Sequence, residues 1–382
     1  MPTWRLPVLL VVPFVAVACK FTAPAATDAG ADGSGGDGPN VPHVQFAELA
    51  TTTAESTQTI VVVSLDQPSQ GVSTVRLDIT GTATAQLDFA VADGTIVTFQ
   101  DTEQTAMVAI GEVDDALDED DEVMTLALAA PSANLALGTV AQATHTISDN
   151  DATPTVSFMA ASSNVAESAG LVTVAVVLSA ASGRTVTVPF SIASASATNP
   201  TDFVATASPL TFTPGTTTQL ISFGIVNDTL DELDDPVVIA LGSPTNATAA
   251  GLTQHTLSIL DDDAASIVQF DPAQLDGVAS EGNSGTTPFT YDVVLNKASG
   301  LPITVQIDFS GDANSGDFTT LGVPVAFAPG EVRKTITLQI IGDTVDEGGT
   351  TDTIIMTINP VGTTNASVGS VDERQHVIGD DD

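Results

Sequence analysis

A threefold internal repeat is the feature of this sequence that most limits what it can fold into. The dipeptide Asp-Phe occurs at intervals of 114 and 115 residues, at Asp88-Phe89, Asp202-Phe203 and Asp317-Phe318. In each unit a glutamate among small residues precedes the dipeptide, an acidic stretch follows it, and an acidic triplet closes the unit. Four landmarks in the same order, three times over, predict three tandem copies of one module.

The landmarks around these dipeptides consist mainly of carboxylates. The glutamates are Glu55, Glu167 and Glu281. The acidic stretches begin with Asp114-Asp115, Asn227-Asp228 and Gly342-Asp343 and extend to Glu119, Glu232 and Glu347. The closing triplets are Asp149-Asn150-Asp151, Asp261-Asp262-Asp263 and Asp380-Asp381-Asp382. Half of the 48 acidic residues of the chain belong to the landmarks, so the negative charge is clustered along the sequence.

Apolar residues alternate with small or polar ones within each unit, which predicts strands with one face on a core. The second copy shows this at Val172, Val174, Val176 and Leu178, and the third at Ile303, Val305, Ile307 and Phe309. About seven such strands per unit, joined by Pro-Gly and Ser-Gly turns, favour an antiparallel β-sandwich. A true immunoglobulin domain is not expected, because the chain has one Cys and its single Trp is Trp4.

The net charge argues against two classes of partner. With 48 Asp plus Glu against 8 Lys plus Arg, the formal net charge is −40. Proteins that bind nucleic acid, or that adsorb to anionic lipid through a basic face, do so with clustered Lys and Arg. At 43% apolar residues the sequence is also too hydrophobic for an acidic disordered chain.

The first 18 residues have the pattern of an export signal. Arg5 precedes an apolar run over residues 6–18, which is too short to span a bilayer as a helix and ends in small residues. Cys19 follows directly, and the site resembles the lipobox of bacterial lipoproteins, although Ala16 stands where Leu is usual and Pro7 and Pro13 interrupt the run. The resemblance implies lipidation of Cys19.

Lipidation would place the protein on the membrane surface of a bacterial cell envelope. The alternative is an ordinary signal peptide followed by an incidental cysteine, which predicts an extracellular protein. Residues 19–42 are rich in Gly, Ala and Asp, have no apolar period, and are predicted to form a flexible tether.

The clustered carboxylates predict a cation site if the loops that carry them converge. Two like unit charges about 4 Å apart repel by about 4 kcal/mol at an effective dielectric constant near 20. A domain stable by only about 5–15 kcal/mol cannot hold several such pairs without a cation. Oxygen-only sites without thiols suit Ca²⁺, which takes six to eight oxygen ligands. The alternative is that these are solvated acidic loops that maintain solubility.

The combination of a Glu among small residues, Asp-Phe, an Asp-Asp-x-x-x-Glu-x-Asp-Glu stretch and a terminal Asp triplet resembles the Calx-beta domain. The acidic pair that ends this stretch is Asp121-Glu122 in the first copy and Asp234-Asp235 in the second. The resemblance implies an all-β chain of three tandem seven-stranded immunoglobulin-like antiparallel β-sandwiches, at residues 43–151, 154–263 and 266–382. It also implies that distal loops bind Ca²⁺ through the matching acidic residues. The implied ligands are Glu55, Asp88, Asp114, Asp115, Glu119, Asp149, Asp151, Glu167, Asp202, Asp228, Glu232, Asp261, Asp262, Asp263, Glu281, Asp317, Asp343, Glu347, Asp380 and Asp381.

The three copies differ in how well they match this pattern. In the third copy Gly342 replaces the first Asp of the acidic stretch, and Gly348-Gly349-Thr350 interrupts its acidic pair. We therefore predict that the third module binds calcium more weakly than the first two. Only Ala152-Thr153 and Ala264-Ala265 separate the acidic triplets from the next module, so bound calcium is expected to stiffen the chain at these joints.

An enzyme is the main rival class. The sequence contains no GxSxG, HExxH or phosphate-binding Gly-rich motif. His145, His255 and His376 recur just before the closing triplets, and the simplest interpretation is a strand residue that faces water. A glycosidase or a carbohydrate-binding module would use aromatic side chains for sugar stacking, yet the mature chain would have no Trp and only Tyr291.

The sequence therefore predicts a non-enzymatic, calcium-binding cell-surface lipoprotein whose modules are rigidified by Ca²⁺, for adhesion, matrix contact or as a spacer. One alternative keeps the fold and assigns a calcium-responsive sensing role, and another is an accessory to a carbohydrate-active enzyme. Calcium affinity separates the stabilising role from the sensing role, because millimolar sites only stabilise and tighter sites can signal. The surface or matrix partner is not identified by the sequence.

Overall fold

The computed structural model describes residues 41–197, 199, 201–345 and 351–379. Its strands fall into three successive groups, at residues 43–148, 155–260 and 266–379. The predicted signal peptide, Cys19 and all of the predicted tether except residues 41–42 lie outside the described residues. Within the described part of the chain, no helix has the length and apolar character needed to cross a membrane.

The first module consists of two facing sheets. One sheet has the strand order β6-β3-β1-β8 and the other has the order β2-β9-β7-β4-β5. The strands are β1 (His43–Phe46), β2 (Ala50–Ala54), β3 (Ile60–Leu65), β4 (Ser73–Gly81), β5 (Thr95–Phe99), β6 (Thr105–Ala109), β7 (Glu122–Ala129), β8 (Ala136–Leu137) and β9 (Gln142–Ser148).

The second module repeats this arrangement and adds a single-turn 3₁₀ helix, η1 (Glu167–Ala169). Its strand orders are β15-β17-β12-β10-β19 and β11-β20-β18-β14, with β13 and β16 forming a separate pair. The strands are β10 (Thr155–Phe158), β11 (Ser162–Ala166), β12 (Leu171–Leu178), β13 (Val186–Val188), β14 (Phe190–Ser194), β15 (Phe203–Ala205), β16 (Leu210–Phe212), β17 (Thr218–Ile225), β18 (Asp235–Leu241), β19 (Thr248–Ala249) and β20 (Gln254–Leu260).

The third module has two five-stranded sheets. Their strand orders are β25-β27-β23-β21-β29 and β22-β30-β28-β24-β26. The strands are β21 (Ser266–Phe270), β22 (Gly277–Ser280), β23 (Gly285–Leu295), β24 (Ile303–Gly311), β25 (Phe318–Leu321), β26 (Val325–Phe327), β27 (Arg333–Gly342), β28 (Thr351–Thr364), β29 (Ala366–Val368) and β30 (Glu373–Gly379).

The first and last strands of each module switch between its two sheets. In the first module β1 pairs with β8, and β2 pairs with β9, both in parallel. Counting β1 with β2 and β8 with β9 as single interrupted strands gives seven strands, so the predicted seven-stranded sandwich is confirmed. The same count holds for the other modules when β13 with β14, β15 with β16, and β25 with β26 are treated likewise. These first-to-last pairs are parallel in all three modules, which the sequence patterns did not indicate.

Each module has its own hydrophobic core between its sheets, and the three cores form separate clusters. The alternation predicted for the second copy is confirmed, because Val174, Val176 and Leu178 on β12 are buried. Complete burial of a Val, Leu, Ile or Phe side chain contributes about 1.5–3 kcal/mol. Each module therefore has a core with which to fold by itself.

The strand topology places the acidic landmarks at one end of each sandwich. In the first module Ala54, the last residue of β2, is the register partner of Ser148, the last residue of β9. Because these parallel strands end together, the residues that follow them, Glu55 and Asp149, lie side by side. β7 is antiparallel to β9 and begins with Glu122 at the same end. The acidic loops therefore meet where the first module joins the second.

Candidate metal centres

The strand ends of the first module bring Glu55, Asp149 and Asp151 together. Oxygen atoms of these three carboxylates all lie within 4.8 Å of one another. Asn150 links the set to the acidic stretch, because its backbone N–H donates to Glu55 Oε1 at 3.3 Å and its side-chain amide donates to Asp114 Oδ1 at 3.1 Å. Landmarks from three separate parts of the sequence thus meet at one end of the first module.

A second group in the same module consists of Asp88, Glu119 and Glu122, whose carboxylate oxygens also lie within 4.8 Å of one another. Asp88 is held in place by the backbone N–H of Thr84, which donates to its Oδ2 at 2.5 Å. Glu122 was not among the predicted ligands. Its signal in the sequence is the Asp121-Glu122 pair that ends the acidic stretch, and the structure places Glu122 at the start of β7.

Burial and mutual repulsion disfavour the charged forms of these carboxylates. Burial, followed by the charges of Asp88 and Glu119, raises the pKa of Glu122 to about 7. Burial is also the largest cause of the raised pKa values of Glu55 and Glu119, with contributions from the charge of Asp115. Such shifts mark carboxylates that a nearby cation would stabilise in their ionised form.

The second module contains an equivalent arrangement. Carboxylate oxygens of Glu167, Asp228 and Asp263 lie within 4.8 Å of one another, and the Asp228 N–H donates to Glu167. Burial is the largest cause of the raised pKa values of Glu167, Glu232 and Asp261, and neighbouring carboxylates add to it. One cavity beside this cluster has an acidic lining that comprises Glu167, Asp202, Asp228, Glu232, Asp235 and Asp261.

The lining of this cavity indicates that Asp202, Glu232 and Asp235 are the counterparts of Asp88, Glu119 and Glu122. Asp235 begins β18 as Glu122 begins β7, and both pair with an isoleucine of the last strand. Asp262, a predicted ligand, is exposed and accepts a hydrogen bond from Ser168 instead of joining the cluster. Asp115 is likewise exposed and accepts the N–H of Leu117 at 2.7 Å.

The third module is described only in part at the equivalent positions. Glu281 is 4% exposed, and its N–H donates to Gly379 O at the end of β30, at 3.1 Å. Asp317 is 6% exposed and accepts the N–H of Asn314 at 2.6 Å, and Asp343 accepts that of Val345 at 2.8 Å. Glu347, Asp380 and Asp381 lie outside the described residues, and no three-carboxylate cluster occurs among the residues of this module that are described.

The donor sets of the first two modules fit calcium. They consist of carboxylates, and Ca²⁺ prefers six to eight oxygen ligands in flexible geometry. Asp151 Oδ2, Asp261 Oδ1 and Asp263 Oδ2 are buried yet have no hydrogen-bond partner among the described residues. A buried carboxylate oxygen without a donor is costly, and a cation would satisfy it. When bound, Ca²⁺ would supply the positive charge that these oxygens lack.

The three recurring histidines are buried, so the prediction that they face water is wrong. His145, His255 and His376 are 0%, 3% and 0% exposed. His145 lies on β9 between the inward-facing Ala143 and Ile147, and the two-residue period of a strand therefore turns it inward as well.

Each imidazole makes its hydrogen bonds within its own module. His145 Nε2 lies 3.0 Å from Glu112 Oε1, and both side chains are fully buried. His376 Nδ1 lies 2.8 Å from the Tyr291 hydroxyl, and His255 Nε2 lies 2.9 Å from Ser163 Oγ. These contacts show structural histidines rather than a site shared between modules.

The acidic stretch of the first module also forms the joint with the second module. Asp118 is 2% exposed, and its Oδ1 lies 2.5 Å from Nη2 of Arg184 in the second module. Its backbone carbonyl accepts the N–H of Gly183 at 3.1 Å and the hydroxyl of Ser182 at 3.0 Å. Burial alone would raise the pKa of Asp118, but hydrogen bonds from Arg184 and Thr153 lower it overall.

The second joint repeats this backbone pattern with different charges. The carbonyl of Asp231 accepts the N–H of Gly300 at 3.1 Å and the hydroxyl of Ser299 at 3.2 Å. Lys297 Nζ donates to Thr229 O at 2.8 Å and lies 3.6 Å from Asp263 Oδ1. The acidic loops therefore have two roles, because they carry candidate metal ligands and also contact the next module.

Comparison with known proteins identifies the repeat. The family model of the Calx-beta domain matches three segments, residues 37–151, 149–263 and 261–382. Among solved structures, the chain is similar to CBD12 from CALX1.2, at 21% identity over 57% of this chain and 99% of that chain, with a TM-score of 0.28. It is also similar to the apo-form Calx CBD1 domain, at 24% identity over 29% of this chain and 100% of that chain, with a TM-score of 0.28.

Proposed function

This chain belongs to the Calx-beta domain family, and on that premise we propose that it is a calcium-binding array whose modules are held in line by bound Ca²⁺. The observation that carries the proposal is the position of the Glu55, Asp149 and Asp151 cluster. Asp151 lies four residues before β10, the first strand of the second module. A cation held there would fix the segment that connects the two modules.

The residues of the chain have distinct parts in this mechanism. Glu55 and Asp149 are fixed by strands β2 and β9, whereas Asp151 belongs to the connecting segment. Thr153 in that segment donates to Asp118 Oδ1 at 3.1 Å, so the connection and the acidic loop are already linked. Glu55, Asp149 and Asp151 would together hold the cation, and its charge would offset their mutual repulsion. Asp151 would then restrict movement of the connecting segment.

The proposal includes a spacer or adhesion role at the cell surface, which the modular architecture supports. Modules with separate cores and short connections make an elongated chain that calcium can stiffen. As part of this proposal, residues 1–18 direct export, Cys19 carries the lipid anchor, and the tether of residues 19–42 separates the array from the membrane. A sensing role uses the same sites and requires calcium affinity within a physiological range of concentration. That the chain is not an enzyme stays a prediction.

Calorimetric titration of the full chain with CaCl₂, after treatment with chelator, tests the proposal. We expect binding heat that decreases when Glu55→Gln, Asp149→Asn and Asp151→Asn are combined. The matched control removes the same charge at exposed acidic residues outside the clusters, with Glu48→Gln, Asp372→Asn and Glu373→Gln. Equal heats for the two triple variants, or no heat from the wild-type chain, would instead favour solvated acidic loops that maintain solubility.

A further inference from the structure

Two loops at the joints, each connecting strands of different sheets, share the dipeptide Ser-Gly. Ser182-Gly183 lies between β12 and β13, and Ser299-Gly300 lies between β23 and β24. Ser182 and Ser299 are each 2% exposed, and each donates to an aspartate carbonyl of the preceding module. At both joints, therefore, the equivalent loop contacts the acidic stretch of the preceding module.

Both glycines lie directly against a glutamate of the preceding module. A Cβ built on Gly183 would lie 2.6 Å from Cγ and 2.7 Å from Cδ of Glu119. A Cβ built on Gly300 would lie 2.6 Å from Cγ and 2.9 Å from Cδ of Glu232. These distances are well inside van der Waals contact, so a side chain at either glycine cannot coexist with the glutamate in its present position.

The acidic loop cannot retreat from the glycine without losing other contacts. The Gly183 N–H donates to Asp118 O, and the Gly300 N–H donates to Asp231 O, both at 3.1 Å. Since these carbonyls precede Glu119 and Glu232 by one residue, the hydrogen bonds hold the backbone beside each glutamate close to the glycine. A larger residue would have to break this backbone contact or displace the glutamate.

The first module carries a different residue at this position. Ser69, Ser182 and Ser299 each follow a buried leucine by four residues and are each 2% exposed, so they are equivalent. The residue after Ser69 is Gln70, where the other two modules have glycine. Among the described residues no other module contacts this loop of the first module, and it folds with a side chain at this position.

We propose that Gly183 and Gly300 allow consecutive modules to dock, because the absence of a side chain there leaves room for a glutamate of the preceding module. The two glycines thereby position Glu119 and Glu232 for the calcium sites. Gln70, at the equivalent position of the first module, leaves no room there for the glutamate of another copy. The docking role follows from contacts between protein atoms alone. The effect on calcium rests on the proposed function, because Glu119 and Glu232 belong to the candidate metal centres.

Spin-label distance measurements on the full chain test the docking role without calcium. Labels are attached at Met107→Cys and Met159→Cys, which are 72% and 65% exposed and lie in different modules, in a Cys19→Ser background. In chelator we expect Gly183→Gln to broaden the distance distribution between these labels. Gln70→Gly, the matched control, is expected to leave it unchanged.

A compensating variant separates a steric cause from general damage to the loop. Glu119→Ala removes the atoms that clash, so Gly183→Ala combined with Glu119→Ala is expected to restore the wild-type distribution that Gly183→Ala alone broadens. The docking role is wrong if Gly183→Gln and Gly183→Ala both keep the wild-type distribution, or if the compensating change restores nothing.

Calcium titration of the same variants tests the positioning role. If Gly183 positions Glu119, Gly183→Gln is expected to weaken calcium binding by the first module on the order of tenfold, since affinity depends on the rigidity of the site. Unchanged affinity would overturn the positioning role. Failure of the wild-type chain to bind calcium would overturn the proposed function instead, and the chelator measurements would still decide the docking role.

Discussion

Arg184 Nη2 in the second module lies 2.5 Å from Asp118 Oδ1 in the first, and this ion pair links the two modules. The equivalent position at the second joint is Leu301, so the two joints differ in charge while they share the backbone contacts of Gly183 and Gly300. The first joint is therefore expected to be the more sensitive of the two to removal of a single charge.

Replacing Arg184 by Leu tests the strength of this ion pair. Because Asp118 stays buried without its partner, we expect Arg184→Leu to destabilise the docked arrangement by about 1–3 kcal/mol, as for a lost hydrogen bond to a charged group. Thermal unfolding in chelator measures the effect. Lys334→Leu, which breaks the surface pair with Glu331 at 2.7 Å, serves as the control and is expected to change nothing measurable. Equal melting temperatures for both variants and the wild type would contradict this account of the joint.

Glu122 is predicted to be a calcium ligand that also destabilises the metal-free protein. Glu122→Gln removes a charge that Asp88 and Glu119 repel, so the variant in chelator should melt at a higher temperature than the wild type. In calorimetry its calcium affinity should fall on the order of tenfold, because a carboxylate ligand is lost. Glu48→Gln, the same substitution at an exposed glutamate, should change neither the melting temperature in chelator nor the calcium affinity. Unaltered calcium affinity of Glu122→Gln would show that Glu122 is not a calcium ligand.

The raised pKa of Glu122 predicts an unusual dependence of stability on pH. Between the ordinary glutamate value of 4.5 and about 7, the folded state holds a proton that the unfolded state has released. The free energy of unfolding in chelator should therefore fall as the pH rises through this window. With saturating calcium the trend should reverse, because protons compete with the cation for the same oxygens. Melting curves at several pH values, with and without calcium, show how stability changes with pH in each condition. The same direction of change in both conditions would contradict the prediction.

The buried Glu112–His145 pair should contribute more to stability than His376 does. Both side chains of the pair are fully buried, so His145→Leu removes one hydrogen bond of the Glu112 carboxylate, which keeps those from Thr53 and Thr59, and should cost about 1–3 kcal/mol. In the third module His376 Nε2 is buried and has no partner among the described residues, so His376→Leu should cost less. Thermal unfolding of the two variants compares them. A larger loss for His376→Leu would show that this ranking is wrong.

The third module is predicted to bind calcium more weakly than the first two. Gly342 stands where the first module has Asp114, which removes one carboxylate from the acidic stretch. Titration of residues 43–151, 154–263 and 264–382 as separate modules measures the three affinities, since each module has its own core. Equal or tighter binding by residues 264–382 would contradict the prediction.

The sequence was sufficient to predict the modules and the faces of their strands, because apolar alternation and repeated landmarks are local signals. It did not indicate that Glu122 joins Asp88, because that contact depends on where β7 begins relative to the acidic loop. It also gave the wrong orientation for His145. A polar residue in a strand was assigned to water, whereas the positions of Ala143 and Ile147 on the same face already turned it inward.

The contacts of Gly183 with Glu119 lie beyond sequence reasoning for a different reason. A Ser-Gly turn is common, and nothing local distinguishes a glycine that forms a turn from one that receives a neighbouring module. Only the packing of two modules shows that a Cβ at this position would overlap Glu119. The difference between Gln70 and the glycines of the other two modules can be interpreted only when that contact is known.

Small-angle scattering of the full chain, first with saturating calcium and then with excess chelator, tests the central claim most directly. With calcium we expect a more extended and less variable particle and a higher melting temperature, and chelator should reverse both changes. An identical scattering profile and melting temperature in the two conditions would contradict calcium as the element that holds the modules in line.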